Sequence, residues 1–536
     1  MHIVEYNDIP ELPAVINTSG GDWGYVTFVI SDRDMDAPKI QRLFDQMRRF
    51  HLIPIVRLAT HPEGALWVKP SSDEFDKIVD FLSKLHWPIE NRYVILYNEP
   101  NHANEWGGTI DPEGYAKTVV TLGKKLKEAS SDFFILPAGL DVSAASDGKS
   151  LSASEYLKRM VQSEPELLHT IDGWTSHSYP NPAFSGSPYA TGRGSLRSYE
   201  WELQLLESIG LTKKLPVFIT ETGWIHSEGI STHFGAFSAD SIGKNISIAS
   251  EQAWKDPRIV AITPFVFNYQ GAPFDGFSWK LLGNGGLYSF AESYKSIPKK
   301  SGQPQQRESY EFSAPLIPHE LISNSSYHLT TQIKNIGQGI IDESDGYSIQ
   351  IHQKGDSIGF LFDPMPVVEP QAQGEISVHL RTPKNLGTYP IQLTLKHHAK
   401  EIPLQSVQLT IAPPPSVSIH ATLGWRQSQS NSAVTVLLYD KNELIHKFTD
   451  LSITDGVVTV SEIPGIIPGN KYRIVLLVPS YLPRQAIVSI KSKVTDVTMK
   501  RLYPFDINMD GALTFADLES LLFMQPMVLF NLFFGK

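Results

Sequence analysis

Two glutamates stand out in this sequence because each follows directly on an apolar run. Glu99 lies in YVILYNEPN and Glu221 lies in PVFITETGW. Strands that are buried on both faces have nearly continuous apolar sequences, and residues 93–97 and 217–220 fit that description. The carboxyl ends of parallel strands meet at one face of a barrel, which is where active sites of that architecture lie. The pair therefore predicts acid and base chemistry on a shared substrate.

Glycoside hydrolysis is a reaction that two such carboxyl groups can serve. It needs one protonated carboxyl group that assists the leaving oxygen and one ionised carboxylate beside the scissile bond. Glu99 and Glu221 can supply them, since three predicted strand-helix units separate the two residues and both would face the same mouth. A structural or metal-binding role is the alternative for strand-end glutamates, and the pattern alone leaves it open.

The two motifs together resemble the signatures of clan A retaining glycoside hydrolases. NEPN and TETGW contain the two glutamates and stand at the ends of the fourth and seventh predicted strands. The resemblance covers residues 1 to about 295 and implies a (β/α)8 TIM barrel. It also implies that Glu99 is the general acid/base and Glu221 the nucleophile, and that Asn98 donates to the sugar 2-hydroxyl and the region of the nucleophile.

Three further polar residues fall near the predicted carboxylates. His177 and Tyr179 end the sixth predicted strand in WTSHSYP, and similar residues of the clan bond to the nucleophile and the sugar. A structural role is the alternative for both. Arg57 lies on the third predicted strand, where a guanidinium would hold a neighbouring carboxylate ionised. Because many clan members carry that arginine on the second strand, a structural salt bridge is the alternative for Arg57.

Several aromatic residues fall on presumed loops at the same face. Sugar rings present flat apolar faces, so aromatic platforms are expected to line a carbohydrate cleft. Trp224 directly follows the second glutamate motif and is the first candidate for a sugar subsite. The other candidates are Trp106 and Trp279, with Trp67 and Tyr269 on the same predicted rim. Loop packing is the alternative for these other residues.

The elements that would position this site alternate through residues 1–298. Apolar runs of strand length alternate with amphipathic stretches of helical period, which is typical of repeated strand-helix units. Eight strands are predicted at residues 1–4, 25–30, 53–59, 93–97, 133–138, 173–177, 217–220 and 259–267. Pro10 and Pro13 interrupt the first predicted helix. Because the first strand begins at residue 1, that strand can be truncated.

The periodicity changes after the predicted barrel. Residues 299–309 are rich in Pro, Gly, Gln and charge, which indicates a linker. Alternation at period two then predicts an Ig-like β-sandwich accessory domain over residues 310–412 and a second β-sandwich accessory domain over residues 416–500. The proline run at residues 413–415 separates them.

The last predicted segment, residues 501–536, contains the motif DINMDGALTFAD. Loop positions one, three, five, seven and twelve of a calcium site are filled by Asp506, Asn508, Asp510, Ala512 and Asp517. The motif resembles the calcium loop of dockerin modules, and a chance Asn/Asp turn is the alternative. Dockerins normally carry two loops, so one loop makes this a half EF-hand segment. A cohesin-like protein or an intramolecular docking surface is the implied partner, and the apolar tail, residues 521–534, is either a helix that needs a partner or the start of a truncated element.

Composition excludes several other classes of function. The chain has 536 residues, with 57 acidic and 46 basic side chains and no dense Lys/Arg run, so nucleic acid and anionic membranes are poor partners. Because it has no cysteine, it has neither disulfides nor a thiolate metal site. No apolar stretch has the length of about 20 residues that a transmembrane helix needs. The start of the chain also lacks the features of a signal peptide.

The sequence therefore predicts a multidomain retaining glycosidase that hydrolyses β-glycosidic bonds of a polysaccharide or glycoside. No cofactor is expected for catalysis, calcium is expected as a structural ion in the C-terminal loop, and the module content indicates an extracellular or cell-surface location. The main rival is a catalytically silent glycan-binding or cell-surface scaffold protein, whose mark would be the loss of either glutamate. A metal-dependent hydrolase or lyase is a third reading, but no cluster of histidines and carboxylates recurs at the predicted strand ends.

Overall fold

The computed structural model of the protein describes residues 1–522 except residues 232, 234, 284 and 355–357. It divides into two compact units, which are Met1–Ser309 with Gly337–Ile340 and Tyr310–Ile336 with Ile341–Lys536. Residues 523–536, which include most of the predicted apolar tail, lie outside the described residues. Within the described part of the chain, no helix has both the length and the apolar character needed to cross a membrane.

The first unit alternates strands with helices. Its strands are β1 (Gly24–Ser31), β2 (Leu52–Ala59), β3 (Pro62–Glu63), β4 (Leu66–Trp67), β5 (Arg92–Leu96), β6 (Phe133–Pro137), β7 (Trp174–His177), β8 (Val217–Glu221) and β9 (Ile259–Ile262). Its α-helices are α1 (Pro13–Ile16), α2 (Ala37–Arg49), α3 (Phe75–Lys84), α4 (Pro112–Ala129), α5 (Ala153–Ser163), α6 (Leu167–Thr170), α7 (Ser198–Ser208), α8 (Ala239–Gln252) and α9 (Phe290–Lys295). Short 3-10 helices cover Tyr6–Glu11, Ser72–Glu74, Ala103–Glu105 and Asp275–Phe277.

Local sequence explains where the longer helices begin. The side chain of Asp36 accepts from the amide of Lys39 at the start of α2, and Asp111 accepts from the amide of Gly114 at the start of α4. A proline lies at the first or second position of both helices, where its missing N–H costs no intrahelical bond. These caps determine the residues at which α2 and α4 begin.

The strands of the first unit form two parallel sheets. Their orders are β1-β2-β5-β6 and β7-β8-β9, and β3 pairs only with β4. The single closed sheet of the predicted (β/α)8 barrel is therefore not present among the described strands. The predicted strand at residues 1–4 is reduced to one parallel bridge between His2 and Thr27, because the chain turns into the 3-10 helix Tyr6–Glu11.

The parallel strands other than β9 are largely buried on both faces, as their apolar sequences predict. On β2, Leu52 and Val56 pack in the large core cluster that also holds the helix side chains. Ile53 and Ile55 point the other way, into a second cluster that includes Phe218 of β8. Because side chains alternate along a strand, the odd-numbered residues of β2 after Ile55 point to the same face as Ile53 and Ile55.

The second unit consists almost entirely of antiparallel strands. Its strands are β10 (Tyr310–Phe312), β11 (Glu320–Ile322), β12 (Ser326–Asn335), β13 (Tyr347–Gln353), β14 (Gly359–Phe362), β15 (Gln373–Arg381), β16 (Gly387–His397), β17 (Lys400–Ala412), β18 (Ser416–His420), β19 (Asn431–Asp440), β20 (Glu443–Ile453), β21 (Val457–Val460), β22 (Lys471–Leu477), β23 (Ser480–Tyr481), β24 (Arg484–Ser489), β25 (Val494–Thr498) and β26 (Pro504–Asp506). A 3-10 helix covers Glu343–Asp345, and helix α10 (Phe515–Leu522) ends the described chain.

Two separate cores lie within this unit. Sheets β10-β12-β15-β14 and β11-β17-β16-β13 contribute buried side chains to one cluster. Sheets β21-β18-β25 and β20-β19-β22-β24 contribute most of the other. Each pair of sheets is a β-sandwich, since the inner faces of both sheets share one apolar layer.

Candidate active site

A cavity of about 710 Å³ opens at the carboxyl ends of the parallel strands of the first unit. Eight of the residues proposed from the sequence line it, and six of these are the polar residues Arg57, Asn98, Glu99, His177, Tyr179 and Glu221. Trp67 and Tyr269 line it as well. The cavity has the volume of a small-molecule site, and its charged groups converge on one region.

Strand β8 brings Glu221 to this cavity because its pairing with β7 is irregular. Val217 and Ile219 pack in the core cluster that holds the helices, and regular alternation would place Glu221 on the same face. The register shifts, so that Ser176 pairs with Ile219 while His177 pairs with Glu221. A bulge of one residue re-aims the side chain that follows it, which turns Glu221 toward the cavity.

Two donors hold the carboxylate of Glu221. Nη1 of Arg57 donates to Oε1 at 2.5 Å, and the hydroxyl of Tyr179 donates to Oε2 at 3.1 Å. Burial opposes ionisation, but the charges of His177 and Arg57 outweigh it and lower the pKa of Glu221 well below its usual range. Burial and the charge of Glu221 raise the pKa of Tyr179, which therefore remains a hydrogen-bond donor.

Glu99 lies in a tight turn that follows β5. Tyr97 and Glu99 both have positive φ angles, of 73° and 31°. Such angles are uncommon for residues with a Cβ and cluster at functional sites. The amide of Glu99 donates to the carbonyl of Gly139 at 3.2 Å, and its carbonyl accepts from the amide of His102 at 2.9 Å. The first bond holds the turn against the segment that follows β6, and the second closes the turn itself.

His177 lies between the two glutamates. Its Nδ1 is 2.7 Å from Oε1 of Glu99 and 3.8 Å from Oε2 of Glu221. Burial disfavours the imidazolium, but the charges of Glu221 and Glu99 outweigh it and raise the pKa of His177. Residue 139 must be glycine for this ring to fit, because a Cβ there would lie 2.3 Å from Cδ2 of His177.

The two carboxylates are close neighbours. One oxygen of Glu99, one oxygen of Glu221 and a ring nitrogen of His177 all lie within 4.8 Å of one another. Asn98 extends the network, because its Oδ1 accepts from Nη1 of Arg57 at 2.8 Å. One guanidinium thus contacts residues from both glutamate motifs.

Two titratable residues that contact this network, Glu105 and His2, are not predicted from the sequence. Glu105 lines the cavity, and its Oε2 accepts from Nδ2 of Asn98 at 3.4 Å. Burial, followed by the charge of Glu99, raises the pKa of Glu105 to about 7. His2 lies 3.6 Å from Oε1 of Glu221, and burial lowers its pKa to about 3, so its ring is neutral at neutral pH. The sequence feature that could have indicated His2 is a polar residue inside the first apolar run. The feature that could have indicated Glu105 is its position in the loop after NEPN.

Three tryptophans proposed as sugar platforms lie in the core instead. Trp106 is fully buried, and its ring packs edge-on against Tyr97 and Tyr115. Trp279 packs against Phe290 and Tyr294 in the same core cluster. Trp224 is buried too, and its indole nitrogen donates to the carbonyl of Gly186 at 2.9 Å. Because large aromatic rings bury much apolar area, tryptophans on loops can pack into the core of the unit.

Phenylalanine and tyrosine rather than tryptophan provide most of the aromatic wall of the cavity. Phe184 and Phe277 meet with ring centroids 5.1 Å apart, and Phe265 lies 5.8 Å from Phe277. Tyr269 packs on Phe274, which is partly exposed. This wall adjoins the hydrogen-bonding network of the carboxylates, because Tyr179, which donates to Glu221, packs against Phe184 and Phe277.

The proposed calcium loop spans the end of β26 and the start of α10. Asp517 accepts from the amides of Ile507 and Thr514, each at 2.8 Å. Oδ2 of Asp506 accepts from the amide of Gly511 at 3.2 Å, whereas its Oδ1 is buried and has no hydrogen-bond partner. Burial, together with the charges of Asp517 and Asp510, raises the pKa of Asp506.

The side chains of this loop also bond to one another. Nδ2 of Asn508 donates to Oδ2 of Asp510 at 2.8 Å, and the amide of Ala512 donates to Oδ1 of Asp510 at 2.9 Å. Among the described residues, the carboxylates of this loop do not form a set within 4.8 Å of one another. The buried, unpartnered oxygen of Asp506 nevertheless fits a cation, because a buried anionic oxygen without a partner is costly.

Comparisons with known proteins give likenesses at the level of structure alone. No model of a known protein family matches the chain, and no curated protein matches it. A family 39 glycoside hydrolase from Bacteroides cellulosilyticus WH2 is similar at 12% identity and a TM-score of 0.40, over 71% of this chain and 80% of that one. An endo-1,4-beta-mannanase from Eisenia fetida is similar at 12% identity and a TM-score of 0.34, over 55% of this chain and 83% of that one.

A third similar structure is the chitinase ChiW from Paenibacillus sp. str. FPU-7, a cell-surface-expressed multi-modular enzyme. It shares 10% identity at a TM-score of 0.32, over 79% of this chain and 57% of that one. These solved structures are glycoside hydrolases of low sequence identity to the chain. Since their TM-scores are all low, we base the function on the geometry of the site.

Proposed function

We propose that the protein is a retaining glycoside hydrolase that cleaves β-glycosidic bonds of a polysaccharide or glycoside. The observation that carries this proposal is the pair of carboxylates, Glu99 and Glu221, which face each other in one cavity. Their nearest ligand oxygens lie within 4.8 Å. Retaining enzymes hold their two carboxyl groups about 5 to 5.5 Å apart, whereas inverting enzymes need about 6.5 to 9.5 Å to admit a water. The geometry favours retention.

Glu221 has the environment of a nucleophile. Arg57 and Tyr179 donate to its two oxygens, which favours the ionised form that must attack the anomeric carbon. In the first step Glu221 forms a bond to that carbon while the glycosidic oxygen leaves. The second carboxyl group, Glu99, then has to protonate the leaving oxygen.

Glu99 reverses its role in the second step. As a carboxylate it removes a proton from water, the water oxygen attacks the anomeric carbon, and the bond to Glu221 breaks. The proton taken from water restores the acid form of Glu99 for the next cycle, and His177, which contacts Glu99 at 2.7 Å, can hold its carboxylate in place between the steps. Asn98 is held by Arg57 on the same side of the cavity, where the clan resemblance places the sugar 2-hydroxyl.

A metal-dependent hydrolase is the second candidate, because Glu99, His177 and Glu221 are close enough to share an ion. The charges argue against it. The guanidinium of Arg57 contacts Glu221, and it would repel a cation bound there. A catalytically silent glycan-binding or scaffold protein remains the rival from another class, and activity of the intact chain distinguishes it.

The proposal includes a (β/α)8 barrel over residues 1–298 as the clan A scaffold, in which isolated backbone hydrogen bonds rather than strand ladders join the two sheets into a ring. Hydrogen bonds beyond the regular strands support closure. The amide of His2 donates to the carbonyl of Pro264 at 3.0 Å. The amide of Thr27 donates to the carbonyl of Met1, also at 3.0 Å. The amide of Asp172 donates to the carbonyl of Ile135 at 2.8 Å. This bond joins the segment before β7 to β6, the edge strand of the other sheet.

The remaining modules complete the proposal. Residues 299–309 act as a linker, residues 310–412 and 416–500 are the two accessory β-sandwich domains, and residues 501–536 are a dockerin-like segment. Calcium would be held there by the residues of the DINMDGALTFAD loop and would supply structural stabilisation, with no part in hydrolysis. A cohesin-like protein or an internal docking surface is the proposed partner, at an extracellular or cell-surface location.

The decisive experiment is hydrolysis of a panel of β-linked polysaccharides and aryl β-glycosides by the full chain. We expect at least one substrate to be cleaved and early NMR spectra to show the β-anomer as the first product. Glu221→Gln should remove this activity, and Glu207→Gln, an exposed change on α7, should leave it intact. First release of the α-anomer would contradict retention, and equal rates for wild type and Glu221→Gln would place the catalytic centre elsewhere.

A further inference from the structure

Two histidines lie side by side on the exposed face of a sheet in the second unit. His328 on β12 and His379 on β15 are direct partners across the antiparallel pair. Their rings stack with centroids 4.6 Å apart and an interplanar angle of 9°. Both side chains are 54% exposed, so burial does not dictate their arrangement. Directly opposed side chains on one face are close enough to act on a common ligand.

A carboxylate completes the group. Asp363 follows β14, which pairs with β15 on the side opposite β12. Its Oδ1 lies 3.4 Å from Nε2 of His379, and its Oδ2 lies 3.8 Å from Nε2 of His328. The amide of Asp363 donates to the carbonyl of Ser377 at 3.2 Å, which holds this residue against β15. One ligand atom from each of the three side chains lies within 4.8 Å of the others.

We propose that His328, Asp363 and His379 bind a divalent transition metal of the zinc type. Imidazole nitrogen and carboxylate oxygen are ordinary zinc ligands, with bonds of about 2.0 to 2.2 Å, so ligand atoms of a tetrahedral site lie roughly 3.3 Å apart. Each Nε2 is near this distance from one carboxylate oxygen, at 3.4 Å for His379 and Oδ1 and at 3.8 Å for His328 and Oδ2. A small rotation of the exposed rings out of their stack brings both nitrogens onto one ion.

The ligand types select the class of metal. Calcium and magnesium take oxygen ligands, whereas two imidazoles and one carboxylate suit zinc, copper or nickel. Three protein ligands leave one tetrahedral position for water or for a group of an external molecule. The site lies in the second unit and is independent of the proposed hydrolase chemistry.

Other surface histidines of this unit make a useful contrast. His352 lies 3.2 Å from Glu401, and His420 lies 3.4 Å from Asp496. Each is a single imidazole beside a single carboxylate, which is an ordinary weak surface pair. Among the described residues of the second unit, His328 and His379 are the pair of imidazoles that meets one carboxylate.

The position of the site predicts a structural consequence. Its ligands come from β12, from β15 and from the residue after β14, so one ion joins three neighbouring strands. A ligand that binds the folded state alone stabilises it by mass action. Zinc should therefore raise the melting temperature of the sandwich that contains these strands.

The test is zinc binding by the full chain at pH 7.5, with calcium in excess to occupy the C-terminal loop. We expect His328→Ala and His379→Ala each to bind one equivalent of zinc fewer than the wild type and to lose the zinc-dependent rise in melting temperature. His420→Ala is the matched control and should keep both. Asp363→Asn should weaken binding by roughly tenfold or more, since the anionic ligand is lost.

The comparison of zinc stoichiometry between each variant and the wild type separates this site from zinc bound elsewhere. Only the difference between the two proteins is used. Without zinc, His328→Ala and His379→Ala should melt like the wild type, as exposed substitutions usually do, which shows that they fold. Unchanged zinc stoichiometry in both histidine variants would overturn the proposal. An equal loss of zinc in His420→Ala would also overturn it, because it would indicate nonspecific binding to surface imidazoles.

Discussion

Arg57 and Glu221 are 164 residues apart in the chain, and their side chains meet with Nη1 2.5 Å from Oε1. Arg57 lies on β2, on the same face as Ile53 and Ile55, so regular strand alternation aims it inward. Glu221 reaches it only through the bulge in β8. The ion pair therefore depends on both a regular strand and an irregular one, and it fixes the proposed nucleophile before substrate binds.

Replacement of the proposed nucleophile is expected to remove hydrolysis. Glu221→Gln keeps the shape of the side chain but provides no carboxylate to attack the anomeric carbon. The turnover number should fall on the order of 10⁵-fold, as it does when a nucleophile is removed from other enzymes. Initial rates on the best aryl glycoside of the panel measure this effect. A loss below tenfold would contradict the assigned role.

Glu99→Ala is expected to behave differently from the Glu221 variant. Activity should fall by about 10²- to 10⁴-fold on substrates with poor leaving groups, which need a proton from the general acid. Substrates with good leaving groups should still form the glycosyl-enzyme. Added azide should then restore turnover and give a glycosyl azide, because azide attacks without a general base. Failure of azide to change the rate or the product would exclude Glu99 as the acid/base.

Removal of the guanidinium should change the acid limb of the pH-rate profile. Arg57 helps to lower the pKa of Glu221, so Arg57→Met should raise that pKa and make the carboxylate protonate at a higher pH. The acid limb of kcat/KM is expected to move to higher pH, and kcat at neutral pH to fall by roughly 10²-fold. Arg159→Met, which removes an exposed ion pair with Glu113, is the control and should leave the profile unchanged. An unmoved acid limb in the Arg57 variant would contradict this coupling.

The polar part of the site could be predicted from the sequence because strand ends place it. Residues that directly follow an apolar run emerge at one edge of a parallel sheet, and this locates Glu99 and His177 without knowledge of loops. The place of Glu221 at a strand end predicted the same mouth, but the one-residue bulge that turns its side chain there could not be predicted, since it leaves no pattern in VFITE. His2 was missed because its position depends on contacts with residues 264–267, which are distant in the chain.

The fold of the second unit could be predicted from its alternation of polar and apolar residues. The location of the aromatic side chains in the first unit could not be predicted from the sequence. A tryptophan on a loop can face solvent, a ligand or the core, and composition does not distinguish these cases. Trp106 is in the core because Tyr97 and Tyr115 surround it, and those contacts come from separate elements. Trp67 remains at the cavity because β4 is a short hairpin strand at its rim.

This difference between tryptophans predicts opposite effects of substitution. Trp67→Ala should raise KM by about 3- to 10-fold, because an aromatic platform is lost, with little change in stability. Trp106→Ala should instead lower the free energy of unfolding by about 3 to 5 kcal/mol, as large core truncations do. Denaturant titrations and Michaelis curves for the two variants measure these effects. A normal KM for Trp67→Ala with reduced stability would remove that residue from the substrate site.

Calcium is expected to stabilise the second unit without affecting hydrolysis. Oδ1 of Asp506 is buried without a partner, and the charges of Asp510 and Asp517 add repulsion that a bound cation would offset. At about 100 times its Kd, calcium should raise the free energy of unfolding by about 2.7 kcal/mol. Calorimetry of the full chain, with and without calcium, measures the corresponding shift in melting temperature.

Two variants and one chelator make the calcium prediction specific. Asp510→Ala should abolish the shift because it removes one carboxylate of the loop, whereas Asp440→Ala, an exposed residue at the end of β19, should preserve it. A calcium chelator should lower the melting temperature of the second unit and leave the hydrolysis rate unchanged, since the proposed reaction uses side chains of the first unit and no metal ion. Calcium-independent melting would contradict the loop assignment. Loss of hydrolysis in the chelator would contradict a metal-free mechanism, because the first unit would then depend on the ion.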